Sequence, residues 1–229
     1  MPGIIATIGG QRRSREEVRA WESRRIAAAA RKLGVTASGP EAFVQLKLEL
    51  GADEIRGRLA RDIRWADRLA RTQARVSPRR RRSVTELHVD RGSATEFVAW
   101  FRHATGSSDE VAMLRACPDH FLIRSGPAGQ EVLETTGGSP LAARFVIDYE
   151  DLASLVTTPD PEFPHQIAGV ARAADDTPIG GVRHQFRDTG AGFHARLTVE
   201  FPLPTLPTMV AGHRWHLACE FANWIEAAA

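Results

Sequence analysis

The chain has 229 residues, 43% hydrophobic and 25% charged, which places it among ordinary soluble globular proteins. No apolar stretch is long enough to cross a bilayer, and two cysteines, Cys117 and Cys219, are too few for a disulfide framework or a Cys-based zinc knuckle. The net charge of +2 conceals a split: residues 1–83 hold 20 Lys or Arg against 9 Asp or Glu, the remainder 10 against 19.

The opening MPGIIATIGGQRR puts its charges after a short apolar run, the reverse of a secretory signal, so a cytoplasmic location with buried free thiols is expected. Ser14 and Glu17 fit a capping box that starts a helix with Val18, Trp21 and Ile26 on its apolar side, ending at Gly34. Phe43, Leu46 and Leu50 suggest a second short helix. A third runs over 53–75, with Ile55, Leu59, Ile63 and Leu69 among several arginines. These apolar stripes are thin, so residues 1–83 read as a basic, mostly helical extension, closed by a linker at Ser77-Pro78 and Arg79–Arg82.

From residue 84 the period changes. Val84, Leu87 and Val89 suggest a strand, and Ala94–His103 a helix carrying Phe97, Trp100 and Phe101. Phe121–Ile123, Glu131–Thr135 and Phe145–Ile147 are strand-like. Gly181–Phe186 leads through a turn at Asp188–Gly192 into Phe193–Phe201, whose strict alternation predicts an antiparallel hairpin with two different faces. From Met209 the pattern is helical and broadly apolar. Residues 84–229 therefore predict one α+β domain in which a sheet and a long terminal helix cover each other's apolar faces.

The segment His213-Arg214-Trp215-His216-Leu217-Ala218-Cys219-Glu220 carries the chemistry. Positions three and four apart share a helix face, so His213, His216 and Glu220 project together, with Asn223 at their edge. Imidazole and carboxylate at that spacing fill two positions on zinc, iron or manganese. His120, Glu134 and His184 lie on or beside strands and supply further groups. Glu131 and Glu150 compete with Glu134, since periodicity alone does not fix which carboxylate points inward.

Residues 84–229 resemble the zinc-dependent diacetylphloroglucinol and phloretin hydrolases. Cys117-Pro118-Asp119-His120 is similar to that family's first metal-bearing segment, Leu133-Glu134-Thr135-Thr136-Gly137-Gly138 to its acidic strand, and His216–Glu220 with Asn223 to its last pair. The resemblance implies a helix-grip fold like START and Bet v 1 proteins. It also implies one Zn²⁺ held by His120, Glu134, His216 and Glu220, and cleavage of the carbon–carbon bond between an acyl group and an electron-rich phenolic or polyketide-like ring. His184 would assist protonation of the ring, with His213 as the alternate proton-transfer group or ligand. Two other readings stand beside it. One is a non-enzymatic helix-grip protein binding an apolar ligand; the other is an interaction protein whose basic extension binds nucleic acid or an acidic partner. Of these contacts nucleic acid is the less expected, because no interleaved aromatics or helix-turn-helix accompany the arginine run. A homo-oligomer is compatible with the charge split, and no membrane contact is expected.

Overall fold

The computed structural model describes residues 1–229. A hairpin of β1 (Ile4–Ile8) and β2 (Gln11–Ser14) precedes three helices, α1 (Arg15–Leu33), α2 (Pro40–Arg58) and α3 (Ala60–Val76). Then come β3 (Arg80–Val89), α4 (Ala94–Gly106), α5 (Glu110–Leu114), β4 (His120–Gly126), β5 (Gly129–Glu134) and β6 (Ala143–Asp148). The chain ends with β7 (His165–Arg172), β8 (Pro178–Asp188), β9 (Phe193–Pro202) and α6 (Pro207–Ala228). All nine strands join one sheet in the order β2-β1-β3-β9-β8-β7-β6-β5-β4, each pair antiparallel. The sheet wraps a long C-terminal helix, which is the helix-grip, START-like architecture.

Local chemistry accounts for the elements. The Ser14 hydroxyl accepts from the Glu17 N–H, and the Glu17 carboxylate accepts from the Ser14 N–H at 2.8 Å, a complete capping box. Gly34 closes α1 in the left-handed conformation at φ 70°. In β9, Phe193, Ala195 and Leu197 are buried in the main core with Phe221 and Trp224 of α6. The larger of these side chains, Phe193, Leu197 and Phe221, each contribute roughly 1.5–3 kcal/mol through burial. The other face of β9 is also covered. The Glu200 carboxylate accepts from the Thr157 and Val156 N–H groups, at 2.6 and 3.1 Å, so the segment before β7 is pinned across the sheet.

Arg79–Arg82 is not a linker. Arg80, Arg81 and Arg82 lie in β3, opposite Pro202, Phe201 and Glu200 of β9. Strand geometry sends successive arginines to opposite faces, which relieves the repulsion a loop was expected to relieve. The hairpin β1–β2, the short α5 and strand β7 had no counterpart in the sequence reading. Residues on both sides of position 83 share cores. Ile4, Ala6 and Ile8 join the cluster around α6, while Ile26, Leu33, Phe43 and Ile55 pack on Phe121 and Leu133 of β4 and β5. The N-terminal helices thus back the strands that carry half of the candidate site. No helix is long and apolar enough to cross a membrane.

Candidate metal centre

Two elements present the polar groups. His120 opens β4 and Glu134 ends β5, and the two are direct cross-strand partners. On β5 the period of two puts Gln130, Val132 and Glu134 on the inner face. The alternate residues turn outward: Leu133 packs under the N-terminal helices, and Glu131 pairs with Arg56 and Arg144 at 2.6 Å each. Glu131 is therefore removed from the site, and Glu150 is exposed beyond β6. From the opposite side, α6 brings His213, His216 and Glu220 inward, all buried.

The side-chain tips converge. His120 Nε2 lies 2.7 Å from His216 Nε2, 3.1 Å from Glu134 Oε2 and 3.6 Å from Glu220 Oε1. His216 Nε2 lies 3.3 Å from Glu134 Oε2. His213, one turn earlier, has a ligand atom within 4.8 Å of those of Glu134 and His216, and its Nδ1 is 3.3 Å from Ser83 Oγ.

Burial sets the charge states. It pushes His120 down to about 3, as it does His213 and His184, so these imidazoles are neutral. Desolvation also opposes charge on His216, but Cys117 and Glu134 outweigh it and raise its pKa well above the ordinary value. Glu134, although buried, is held low by His216 and His120. Burial pushes Glu220 up to about 8, so it keeps its proton at neutral pH. The site without metal is therefore one carboxylate, one carboxylic acid, one imidazolium and neutral imidazoles. One divalent cation replacing two protons would leave its total charge unchanged. Neutral imidazole with carboxylate is a donor set suited to zinc, so the residues fit that ion.

A supporting layer holds the donors, and the sequence reading missed it. Buried Lys47 of α2 donates to the His120 carbonyl at 2.7 Å. Arg25 of α1 forks onto fully buried Asp119 with contacts of 2.7 and 2.9 Å, and Asp119 accepts from the Thr135 hydroxyl at 2.6 Å. The Thr135–Asp119 hydrogen bond thereby ties the residue after Glu134 to the residue before His120, and Arg25 neutralises the buried carboxylate. Cys117 Sγ lies 3.7 Å from His216 Nδ1; both cysteines are free and buried. Asn223, expected at the edge of the site, instead donates to Glu22 of α1 at 2.9 Å. No single-residue signal points to Lys47 or Arg25, because each acts across more than seventy residues.

His120, Glu134, Glu220, His213 and His184 all face one cavity of about 500 Å³. His184, on β8, packs tilted against Phe221 with ring centroids 4.6 Å apart, and its Nδ1 has no hydrogen-bond partner. Elsewhere the wall is largely apolar, and α3 contributes Leu69 and Gln73 to it. The fold and the site together define a helix-grip protein with a buried His/Glu constellation able to coordinate a metal at the sheet–helix junction. No protein-family model matches the chain, and no curated protein matches it in sequence.

Proposed function

We propose that the protein is a zinc-dependent hydrolase that splits the carbon–carbon bond between an acyl group and an electron-rich phenolic or polyketide-like ring. The observation that carries this reading is the convergence of His120, Glu134 and Glu220, backed by His216, at the polar end of an otherwise apolar cavity. A planar aromatic substrate gains from apolar walls, while its carbonyl needs a polar terminus. Zinc, when bound, would supply Lewis-acid polarisation of the acyl carbonyl.

His120, Glu134, His216 and Glu220 would hold the ion, with the two carboxylates balancing its charge. The surrounding side chains orient the ring and exclude bulk water, which strengthens every polar interaction inside. The departing ring carbon must gain a proton. His184 faces the cavity as a neutral imidazole, so it could relay the proton that the consumed water gives up, taking it at one ring nitrogen as the other passes its own to the ring carbon. His213 is the alternate group for that role. The balanced reaction consumes one water and yields a carboxylic acid and the deacylated ring.

The test combines metal content with turnover. The wild-type protein is expected to hold one zinc per chain in this buried centre and to release acid from acylated phenols. His216→Ala and Glu220→Ala are expected to lose that buried ion and the turnover. A folded wild type that binds no added zinc overturns the reading. Zinc binding without turnover of any acylated phenol would instead favour a non-enzymatic ligand-binding protein, which the apolar walls also suit.

A further inference from the structure

A second donor cluster lies on the opposite face of the sheet. Along β3, Glu86 and His88 alternate with buried Leu87 and Val89 and so point away from α6. On the adjoining β9, His194 is the direct partner of His88, and Arg196 that of Glu86. Residues directly opposite in an antiparallel pair have closely spaced Cβ atoms. The two imidazoles stack with ring centroids 4.2 Å apart. Glu86 Oε2 lies 3.7 Å from His194 Nε2, and one ligand atom from each residue falls within 4.8 Å of the other two.

Two features distinguish this cluster from an ordinary solvated patch. His194 is only 6% exposed, and its Nε2, facing Glu86, has no hydrogen-bond partner. A buried polar atom left without a partner is costly. The nearby cations are also matched by acids other than Glu86: Arg196 pairs with Asp160 at 2.6 Å, and Arg187 with Glu162 at 3.3 Å. Arg196 takes Glu86 Oε1 at 3.1 Å as well, leaving Oε2 turned toward the imidazole.

We propose that Glu86, His88 and His194 form a second metal site that takes a divalent transition cation, Zn²⁺ or Cu²⁺, at a sheet face remote from the buried centre. Two imidazoles and a carboxylate select such ions over Mg²⁺ or Ca²⁺, which prefer all-oxygen shells. Exposed His88 gives the ion access from solvent, and water completes the coordination. The site supplies His194 Nε2 with the partner it otherwise lacks. It stands whether or not the buried centre binds zinc.

The experiment is calorimetric titration of the full-length protein with Zn²⁺, carried past two equivalents, in wild type, His88→Ala and His216→Ala. His88 is exposed, so its substitution leaves the core intact. His88→Ala is expected to weaken one binding event by about tenfold or more and leave the other unchanged. His216→Ala should leave the His88-dependent event in place. Glu86→Gln is expected to weaken that same event, and Mg²⁺ to produce none. A wild-type isotherm with no event sensitive to His88→Ala, or equal binding of Mg²⁺, would overturn the assignment.

Discussion

Gly137 is the tightest joint between the strand that carries Glu134 and the helix that carries His216. It follows β5 in a 3₁₀ turn, Thr136–Gly138, with φ 57° and ψ 26°. A Cβ there would lie 2.7 Å from His213 Cα and 2.8 Å from the Gly212 carbonyl carbon, with His213 N closer still. Ordinary carbon–carbon contact needs about 3.5 Å. Gly137→Ala therefore requires the turn and α6 to part by roughly 1 Å, because the nearest atoms are all backbone and none can swing aside. Metal–donor distances tolerate only about 0.2 Å, so a shift of that size disrupts the set formed by Glu134 and His216. Overpacking costs about 1–3 kcal/mol, and a non-glycine residue at this positive φ adds about 1–2 kcal/mol. The expected loss is about 2–5 kcal/mol in urea unfolding, with zinc affinity reduced by about tenfold or more in a chelator competition. Gly57→Ala, where an added Cβ meets nothing within 4 Å, is the control and should be neutral or slightly stabilising. A Gly137→Ala protein with wild-type stability and zinc affinity would refute the claim that this contact sets the geometry.

Zinc binding at pH 7 should release close to two protons, one from His216 and one from Glu220, since both pKa values are raised in the metal-free site. Affinity should then rise by more than about tenfold per pH unit between about pH 6 and 7.5; a flat profile over that range would contradict the assigned donors. The metal-free protein should gain stability as pH rises to about 6.5, because the unfolded chain still holds protons that neutral, buried His120, His184 and His213 lack, and should then lose it from about 6.5 through 8. Folded Glu220 keeps a proton that the unfolded chain has already released, and the stabilisation from charged His216 is lost in the same direction. Lys47, pushed down to about 8 by burial, acts only above that window. Glu220→Gln should change the stability difference between pH 5.5 and 8.5 by up to about 3 kcal/mol in urea titrations of chelator-stripped protein. An unchanged difference would mean that Glu220 is already ionised in the fold. Arg25→Met strands fully buried Asp119 and should cost about 2–4 kcal/mol, below the range for a wholly buried pair because Arg25 remains 22% exposed. Thermal or urea unfolding measures it, and a neutral result would show that Asp119 finds another partner or a proton.

The parts of the fold that sequence revealed are those whose pattern is local. The alternation of Phe193–Phe201, the helical period from Met209 and the Ser14 capping box each emerge from neighbours a few residues apart, and all three match the structure. The pairing of His216 with Glu220 was legible for the same reason, because one helix turn fixes it. The choice between Glu131 and Glu134 was not. It depends on α2 delivering Arg56 to the outer face of β5, a contact across seventy-five residues. The β1–β2 hairpin was hidden because β2 is four largely polar residues whose last, Ser14, also caps α1. Four arginines looked like a linker because composition carries charge but not the partner strand that orders them.

The most direct test is anomalous diffraction at the zinc absorption edge from crystals of the zinc-loaded protein. The account predicts a strong peak between the side chains of His120, Glu134, His216 and Glu220, with donor atoms about 2.0–2.2 Å from the ion. Zinc-loaded crystals with no peak in that space, or with signal only at the Glu86, His88 and His194 cluster, would contradict it.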